Sequence, residues 1–448
     1  MFKDKKFYRK LIKIAIPIAL QSLVVSSLNM FDTIMVGNLG DKAVAAVGIG
    51  NQLFFLLSLI FFGISGGCSM YLSQYWGKRD KENIRRIIGF GIITITIIGL
   101  IFTIIAMVFP KAIVMIFSRD NEVIPLSVAF LRIVSLSYIF TGISVILSAT
   151  LRCMEKTFIP MAVSFVAVAI NIILNYILVF GKFGFPRLGV EGSATATLIA
   201  RTIEFLVMLY VAFNRKSIIY GKIKSFFNFD KVFYFKILKD VFPVIINEAC
   251  WALGTVFYSI AYGFIGTEAQ ASIQICNTIN SLFMVIAFGV ANGSLVLVGN
   301  VVGAGDFEKG RAYAKKLANI GILVGILLGI FMTASAPLVM KLFKVSDEVV
   351  IDSINLLRVI SVIAPFKVFN IVTVVGILRG GGDVKRAMYI EVTTMWLIGV
   401  PMAFIGAVVL KLPVYFVLLL IGLEELTKFV MCFYRLKSNK WIKNVVNN

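Results

Sequence analysis

The chain of 448 residues contains no histidine, and only 15% of its residues carry charge. Without imidazole there is no His-based general base, no His-containing catalytic triad and no zinc site that uses His. Negative charge is scarce as well: 23 Asp+Glu face 44 Lys+Arg, a formal net charge of +21. Cysteine is sparse. Cys68, Cys153, Cys250, Cys276 and Cys432 are odd in number, widely spaced and free of any CxxC pair, which argues against a disulfide framework. Several motifs are missing too. There is no Gly-x4-Gly-Lys-Ser/Thr loop for an ATPase, no Gly-x-Ser-x-Gly nucleophile elbow and no Asp-rich metal motif, and Gly63–Gly67 follows no strand signal. An enzyme would have to work with carboxylates alone, so neither catalysis nor a cofactor is expected.

What is present in excess is apolar sequence. Hydrophobic residues make up 59% of the chain, and the mean hydropathy is +0.94, whereas soluble chains are about 45–50% apolar and about 25% charged. A spanning helix needs about 20 mostly apolar residues. Twelve such runs occur, near 11–37, 46–74, 87–110, 123–149, 157–181, 190–213, 240–265, 273–302, 314–340, 349–377, 387–410 and 412–434. The first follows the basic Met1–Lys13 stretch, and its length from Leu11 to Val36 exceeds a signal-peptide core, so it reads as an uncleaved span. With the N-terminus inside, 31 Lys and Arg fall in inner segments and eight in outer loops. That bias puts both termini in the cytoplasm. It accounts for the basic charge without a nucleic-acid partner.

The longest polar stretch, 215–239, holds seven basic residues and reads as a cytoplasmic linker between an N-terminal lobe (1–214) and a C-terminal lobe (240–448). An internal repeat supports the division. At a spacing of 226, Pro17 matches Pro243, Gly40 matches Gly266, Gly67 matches Gly293, Gly77 matches Gly303, Asp80 matches Asp306 and Arg132 matches Arg358. The register slips by one at Leu151-Arg152 against Leu378-Arg379. The expected fold is therefore all-α and integral to the membrane, with twelve transmembrane helices in two pseudo-symmetric six-helix lobes. Six spans per half give both halves one orientation, as in parallel-repeat secondary transporters with an axis along the membrane normal and a cavity between the halves.

Ionisable groups inside a bilayer are expensive, so each is a functional candidate. Asp32 has no basic residue in reach on its own helix, and its repeat mate is Tyr258, so the acid belongs to the first half alone. Asp32 and Asn175 each lie six residues before the outer end of their helices, at Asn38 and Gly181; Asn171 is one turn deeper, and Thr197 follows Gly192 by five residues. At about 1.5 Å per residue, these oxygens share a depth roughly 8–9 Å below the outer surface. Asp32, Asn171, Asn175 and Thr197 thus form a candidate site for Na⁺ or for a proton on Asp32; interhelical hydrogen bonding is the simpler alternative for the Asn pair. In the second half, Glu248 and Trp251 are i, i+3 and, with Tyr258, are candidates for binding a lipophilic cation; packing of Trp251 and pairing of Glu248 with Lys367 is the alternative. Glu424–Lys428 and Arg201–Glu204 have the spacing of structural ion pairs, and Glu391 lies near an inner helix end, where it would face water. Pro17 and Pro243 are candidate hinges. The glycines of Gly63–Gly67 and Gly289–Gly293 suit close helix packing.

The run Pro17…Asp32-Thr-Ile-Met-Val-Gly-Asn-Leu-Gly40…Ala45-Ala-Val-Gly-Ile, together with Gln74-Tyr-Trp-Gly77, Gly299-Asn-Val-Val-Gly-Ala-Gly-Asp306, Asn171…Asn175…Gly181, Gly189–Thr197 and Leu378-Arg-Gly-Gly-Gly-Asp383, resembles the MATE (multidrug and toxic compound extrusion) transporters over the whole chain. The resemblance implies two six-helix lobes, export of cationic amphipathic compounds in exchange for H⁺ or Na⁺, and a cation site on Asp32, Asn171, Asn175 and Thr197. Asn175 replaces an acid found in some members, Lys367 stands where NorM-like members carry an Asp, and Glu248 is about a turn from their usual glutamate. These departures place the chain nearer the DinF-like branch. The expectation is a monomeric inner-membrane antiporter for lipophilic cations, in contact with lipid; the alternative is a flippase for a lipid-linked saccharide or peptidoglycan precursor, which would need a basic cavity.

Overall fold

The computed structural model describes residues 4–214, 219–341, 343 and 345–446. Residues 215–218 of the expected linker, with Arg215 and Lys216, lie outside the described residues, as does Lys344 of the outer loops. Among the described residues the chain is helical and contains no strand. The first half holds α1 (Lys5–Gly37), α2 (Asp41–Gly50), α3 (Gln52–Lys78), α4 (Lys81–Val108), α5 (Pro110–Phe117), α6 (Val123–Ser135), α7 (Tyr138–Cys153), α8 (Phe158–Phe180) and α9 (Gly189–Phe213). The second holds α10 (Lys231–Gly263), α11 (Thr267–Gly303), α12 (Phe307–Met340), α13 (Asp347–Ile371), α14 (Val384–Thr394), α15 (Val400–Phe404) and α16 (Val414–Lys437).

Among the described residues, ten helices are long and apolar enough to cross a bilayer, and α6 with α7, bent by 47°, makes an eleventh span. α16, with 24 residues but Glu424, Glu425 and Lys428 in its body, falls outside that count. The all-α, many-span membrane architecture is the one expected. The spans 347–378 and 384–409 contain wide π-helical turns at Val372–Leu378, Met395–Gly399 and Ile405–Val409. Such turns insert an extra residue and gather at functional sites; apolar periodicity gave no sign of them.

The seventh span begins earlier than the apolar run suggested. α10 starts at Lys231, where Asp230 caps the helix by accepting the Phe233 amide at 2.8 Å. The last nine residues of the expected linker are therefore helical. Hydropathy overlooked them because Lys236, Lys239 and Asp240 interrupt the apolar sequence. The repeat mates Asp80 and Asp306 act alike, capping α4 and α12 through the amides of Asn83 (3.0 Å) and Lys309 (3.1 Å).

By contact the chain divides into two compact units: Met1–Ala19, Ser69–Arg79 and Phe242–Asn448 in one, Leu20–Cys68 and Asp80–Val241 in the other. These follow packing and differ from the lobes of the chain duplication, because the inner parts of α1, α3 and α10 change allegiance. In the first unit Gly293 of α11 sits against Leu11 and Ala15 of α1. In the second, Gly67 of α3 sits against Val241 of α10, where a Cβ would meet the Val241 backbone. Ala15 and Val241 are repeat mates, as are Gly293 and Gly67, so each half lends the start of its first helix to the other unit. The first unit is tied further at its inner end. Lys316 of α12 donates to Asp4 at 2.8 Å, which holds that carboxyl below its ordinary range. The Phe7 ring lies 4.7 Å from that of Tyr313.

Also in the first unit, Gly77 of α3 faces Asn300 of α11 and Gly303 faces Gln74; a Cβ on either glycine would collide with the opposing backbone carbonyl. The chain after α16 folds over this crossing. Gln74 donates to the carbonyls of Gly380 and Lys443 and accepts from the Val445 amide. Buried Asp383 takes Arg435 and Lys443, both at 2.6 Å, and Trp441 is buried against Gly381.

Candidate functional site

The close approach of α8 and α9 builds the site. α8 ends on Gly181 in the left-handed conformation, with φ of 68°, which a side chain would strain. In α9, a Cβ at Gly192 would press on the Leu178 backbone, so glycine there lets the two helices meet. That contact faces Asn171 and Asn175 toward Thr197, and Asp32 of α1 joins them.

All four residues are linked by one chain of hydrogen bonds. Asn175 Nδ2 donates to Asp32 Oδ1 at 2.7 Å and to Asn171 Oδ1 at 2.9 Å, and Asn171 Nδ2 donates to Thr197 Oγ1 at 3.3 Å. Asn171 and Asn175 are 1% and 0% exposed, so these bonds are made away from water. One polar atom is left over: Asn175 Oδ1 is buried with no hydrogen-bond partner among the described residues. Such an orphan carries a desolvation cost of about 1–3 kcal/mol. Two oxygens therefore converge on one amide nitrogen while the oxygen of that amide faces nothing. Turning the Asn175 amide over would set Asp32, Asn171 and Asn175 oxygens together, beside the Thr197 hydroxyl.

The other singled-out residues fall differently. Glu248 is held by Arg379 at 2.9 Å, not by Lys367, and the Arg379 side chain is only 6% exposed. Its partner came from the turn after the tenth span, which the helix face of Glu248 could not reveal. Trp251 is 44% exposed. Tyr258 donates to Glu424 Oε2 across the second half. The sequence thus grouped Glu248, Trp251 and Tyr258 by helix spacing, whereas their polar groups go to two separate partners. Pro17 and Pro243 both lie inside helices, α1 and α10. The contact units change two residues after Pro17, between Ala19 and Leu20, and one residue before Pro243, between Val241 and Phe242.

A buried cluster in the second half was only partly foreseen. Lys428 pairs with Glu424 at 2.8 Å, as the i, i+4 spacing suggested, and also reaches Glu391 at 3.3 Å and Glu425 at 3.9 Å. Glu391 therefore does not merely face water. Asn370 donates to the Glu425 carboxylate at 2.7 Å. A Cβ at Gly399, in the π-helical turn, would strike Tyr258 and Glu424. One lysine thus faces three carboxylates. Carrying the repeat past its one-residue slip gives the signal that could have found this cluster: Glu391, Glu424 and Lys428 are the mates of Ser164, Thr197 and Arg201.

A helical protein with many apolar spans and carboxylates buried among them has the build of a membrane transporter. The sequence matches the MatE family over residues 17–177 and 243–405, and the chain belongs to that family. It is 24% identical to the uncharacterized transporter YisQ of Bacillus subtilis, over 98% of this chain and 96% of that one. It is 26% identical to the probable multidrug resistance protein NorM of Thermotoga maritima, over 89% and 85% of the two chains. A solved multidrug resistance MATE family transporter of the MOP superfamily, in an outward-facing conformation, superposes with a TM-score of 0.86 at 20% identity, covering 96% of each chain. The chain is a multi-pass membrane transporter of the multidrug efflux type and not an enzyme.

Proposed function

We propose that the protein is an antiporter that exports lipophilic cationic compounds across the plasma membrane in exchange for H⁺ or Na⁺, with both termini cytoplasmic. The observation that carries this reading is the orphaned Asn175 oxygen beside Asp32. In the geometry described, the Asn175 amide bridges Asp32 and Asn171 with its two N–H bonds, holding the space a cation would take. An arriving Na⁺ is met by one carboxylate, two amide oxygens and a hydroxyl once the amide turns over, a hard oxygen set suited to that ion. An arriving proton neutralises Asp32 instead. Either event cancels one half-buried negative charge, and it biases the two arrangements of an alternating-access cycle. Pro17 and Pro243 are the hinges, since each interrupts a helix where its packing passes from one unit to the other. One elementary charge moving down about 100 mV supplies roughly 2.3 kcal/mol to the cycle.

The drug cation is drawn to Trp251 and to the acid-rich cluster around Tyr258. The flippase reading is weaker, because Arg201, Arg379 and Lys428 are each held by a carboxylate and have no free charge to offer a pyrophosphate. The test is purified protein in liposomes, with ethidium movement followed under a pH gradient and, separately, under a Na⁺ gradient. Transport driven by at least one gradient is expected; none under either overturns the antiporter.

A further inference from the structure

The crossing of α3 and α11 is symmetric in sequence and one-sided in packing. Gln74 and Asn300 are repeat mates, as are Gly77 and Gly303, and each glycine faces the mate of its opposite number. Gly77 lies against the Asn300 carbonyl, and Gly303 lies against the Gln74 carbonyl. The pseudo-two-fold axis of the duplication therefore runs through this contact. A symmetric molecule would treat α3 and α11 alike. Instead α11 stays within one contact unit, whereas α3 passes from one unit to the other between Cys68 and Ser69. Gly67 of α3 packs on Val241 in the second unit, and Gly77 packs on Asn300 in the first.

The segment after α16 breaks the symmetry. Gln74 Nε2 donates to the Lys443 carbonyl at 3.1 Å, the Val445 amide donates to Gln74 Oε1 at 2.9 Å, and Lys78 Nζ donates to the Val446 carbonyl at 3.2 Å. Asn444 donates to the Val302 carbonyl of α11 at 3.2 Å. The same segment is pinned to the turn before α14. The Lys443 amide donates to the Gly381 carbonyl at 2.7 Å, and the Lys443 carbonyl leaves no room for a Cβ at Gly382. Asp383, which is 0% exposed, takes both Arg435 and Lys443. Gln74 is also 0% exposed, so its amide depends on this segment for two of its three bonds. The segment after α9, its counterpart in the first half, takes another course along α4. There the carbonyls of Ile219 and Tyr220 accept from Arg85, and that of Phe226 lies against Gly89.

We propose that residues 438–446 are a strap that holds the inner end of α3 on α11 throughout the transport cycle, so that this crossing is a fixed pivot and α3 flexes beside Gly66 and Gly67. The proposal rests on the alternating-access reading, and it makes the two halves unequal: α3 bends where its mate α11 travels whole. The sequence agrees with that inequality. Gly66 and Gly67 directly precede the change of unit in α3 and weaken the helix there, whereas the mate of Gly66 in α11 is Asn292.

The first measurement locks the strap. In a chain freed of its native cysteines, Lys78→Cys and Val446→Cys are joined by a flexible bismaleimide, and ethidium export is followed in liposomes. Export within about twofold of the unlinked protein is expected. Export lost on linking overturns the proposal, since the strap would then have to open, and so does a pair that cannot be linked. The second measurement removes the strap. In a chain ending at Lys437, hydrogen exchange of amides 69–79, read by mass spectrometry, should quicken at least about tenfold, with 295–305 of α11 changing less. Exchange equal to wild type overturns the proposal, as does quickening of equal size in both helices, which marks a general loss of stability. If the shortened chain does not fold, Val445→Pro, which deletes the amide that Gln74 accepts, is judged by the same outcomes. Failure of the antiporter reading shows itself separately, as absent ethidium export by the unlinked wild type, and leaves the exchange measurement to decide on the strap.

Discussion

Asp32 is the only carboxylate in α1, and its hydrogen bond to Asn175 is made beside an unsatisfied amide oxygen. Asp32→Asn keeps the shape and removes the charge, so gradient-driven ethidium export should vanish while the protein still elutes as a folded species in detergent. Two neutral partners in this network, Asn175 and Thr197, should rank by the bonds they make. Asn175→Ala loses two hydrogen bonds, one to a carboxylate, and should weaken ion binding by at least about tenfold. Thr197→Ala loses one long neutral contact of 3.3 Å and should weaken it only a few-fold, read as the Na⁺ or proton dependence of export. Glu248 makes a contrasting case. Its loss strands the buried Arg379 guanidinium, so Glu248→Ala should cost about 3–5 kcal/mol of stability and show as earlier thermal unfolding. That Asp32, Asn171, Asn175 and Thr197 come together was legible in the sequence because depth along a helix is a one-dimensional quantity. Arg379 on Glu248 and Glu391 on Lys428 were not, since those pairs form between helices whose rotation about their own axes no span count gives.

At the scale of elements, the glycine-lined crossings and the two prolines carry different consequences. Gly77 and Gly303 oppose backbone carbonyls of the facing helix, so Gly303→Ala has no flexible neighbour to displace. It should destabilise the protein by about 1–3 kcal/mol, measured by thermal unfolding in detergent. Pro17→Ala and Pro243→Ala should instead leave stability and ion dependence near wild type and slow export, because they restore a helix hydrogen bond where packing changes hands. Equal slowing of ion binding and export would argue against the hinge role. The repeat made the equivalence of these positions visible, and glycine at paired sites pointed to close packing. The partner of each glycine stayed hidden: Gly293 packs on α1 and Gly67 on α10, each on a helix from the opposite half of the chain. Likewise Asp230 gives α10 a start that the polar linker concealed, and the π-helical turns next to Glu424 leave no periodic trace.

For the molecule as a whole, the asymmetry of basic residues predicts a definite orientation. Lys42→Cys should be labelled by an impermeant maleimide added to intact cells, and Lys385→Cys only after permeabilisation; the reverse pattern would invert the topology. Background labelling should be low, since four of the native cysteines are buried and Cys250 is half-buried. The sequence by itself determined the all-α, many-span character and the duplication, because hydropathy and register are properties of order along the chain. It also marked Asp32 as the acid that must be explained, because a carboxylate without a partner on its own helix is costly in a bilayer. Only the tertiary structure decided which charges neutralise which. A buried ion pair depends on side chains from separate helices meeting within about 3 Å, and that meeting is set by packing in three dimensions. Hence Asp32 could be singled out from the chain alone, while its bond to Asn175, and that of Ser164 to Glu204, formed only when α1, α8 and α9 came together.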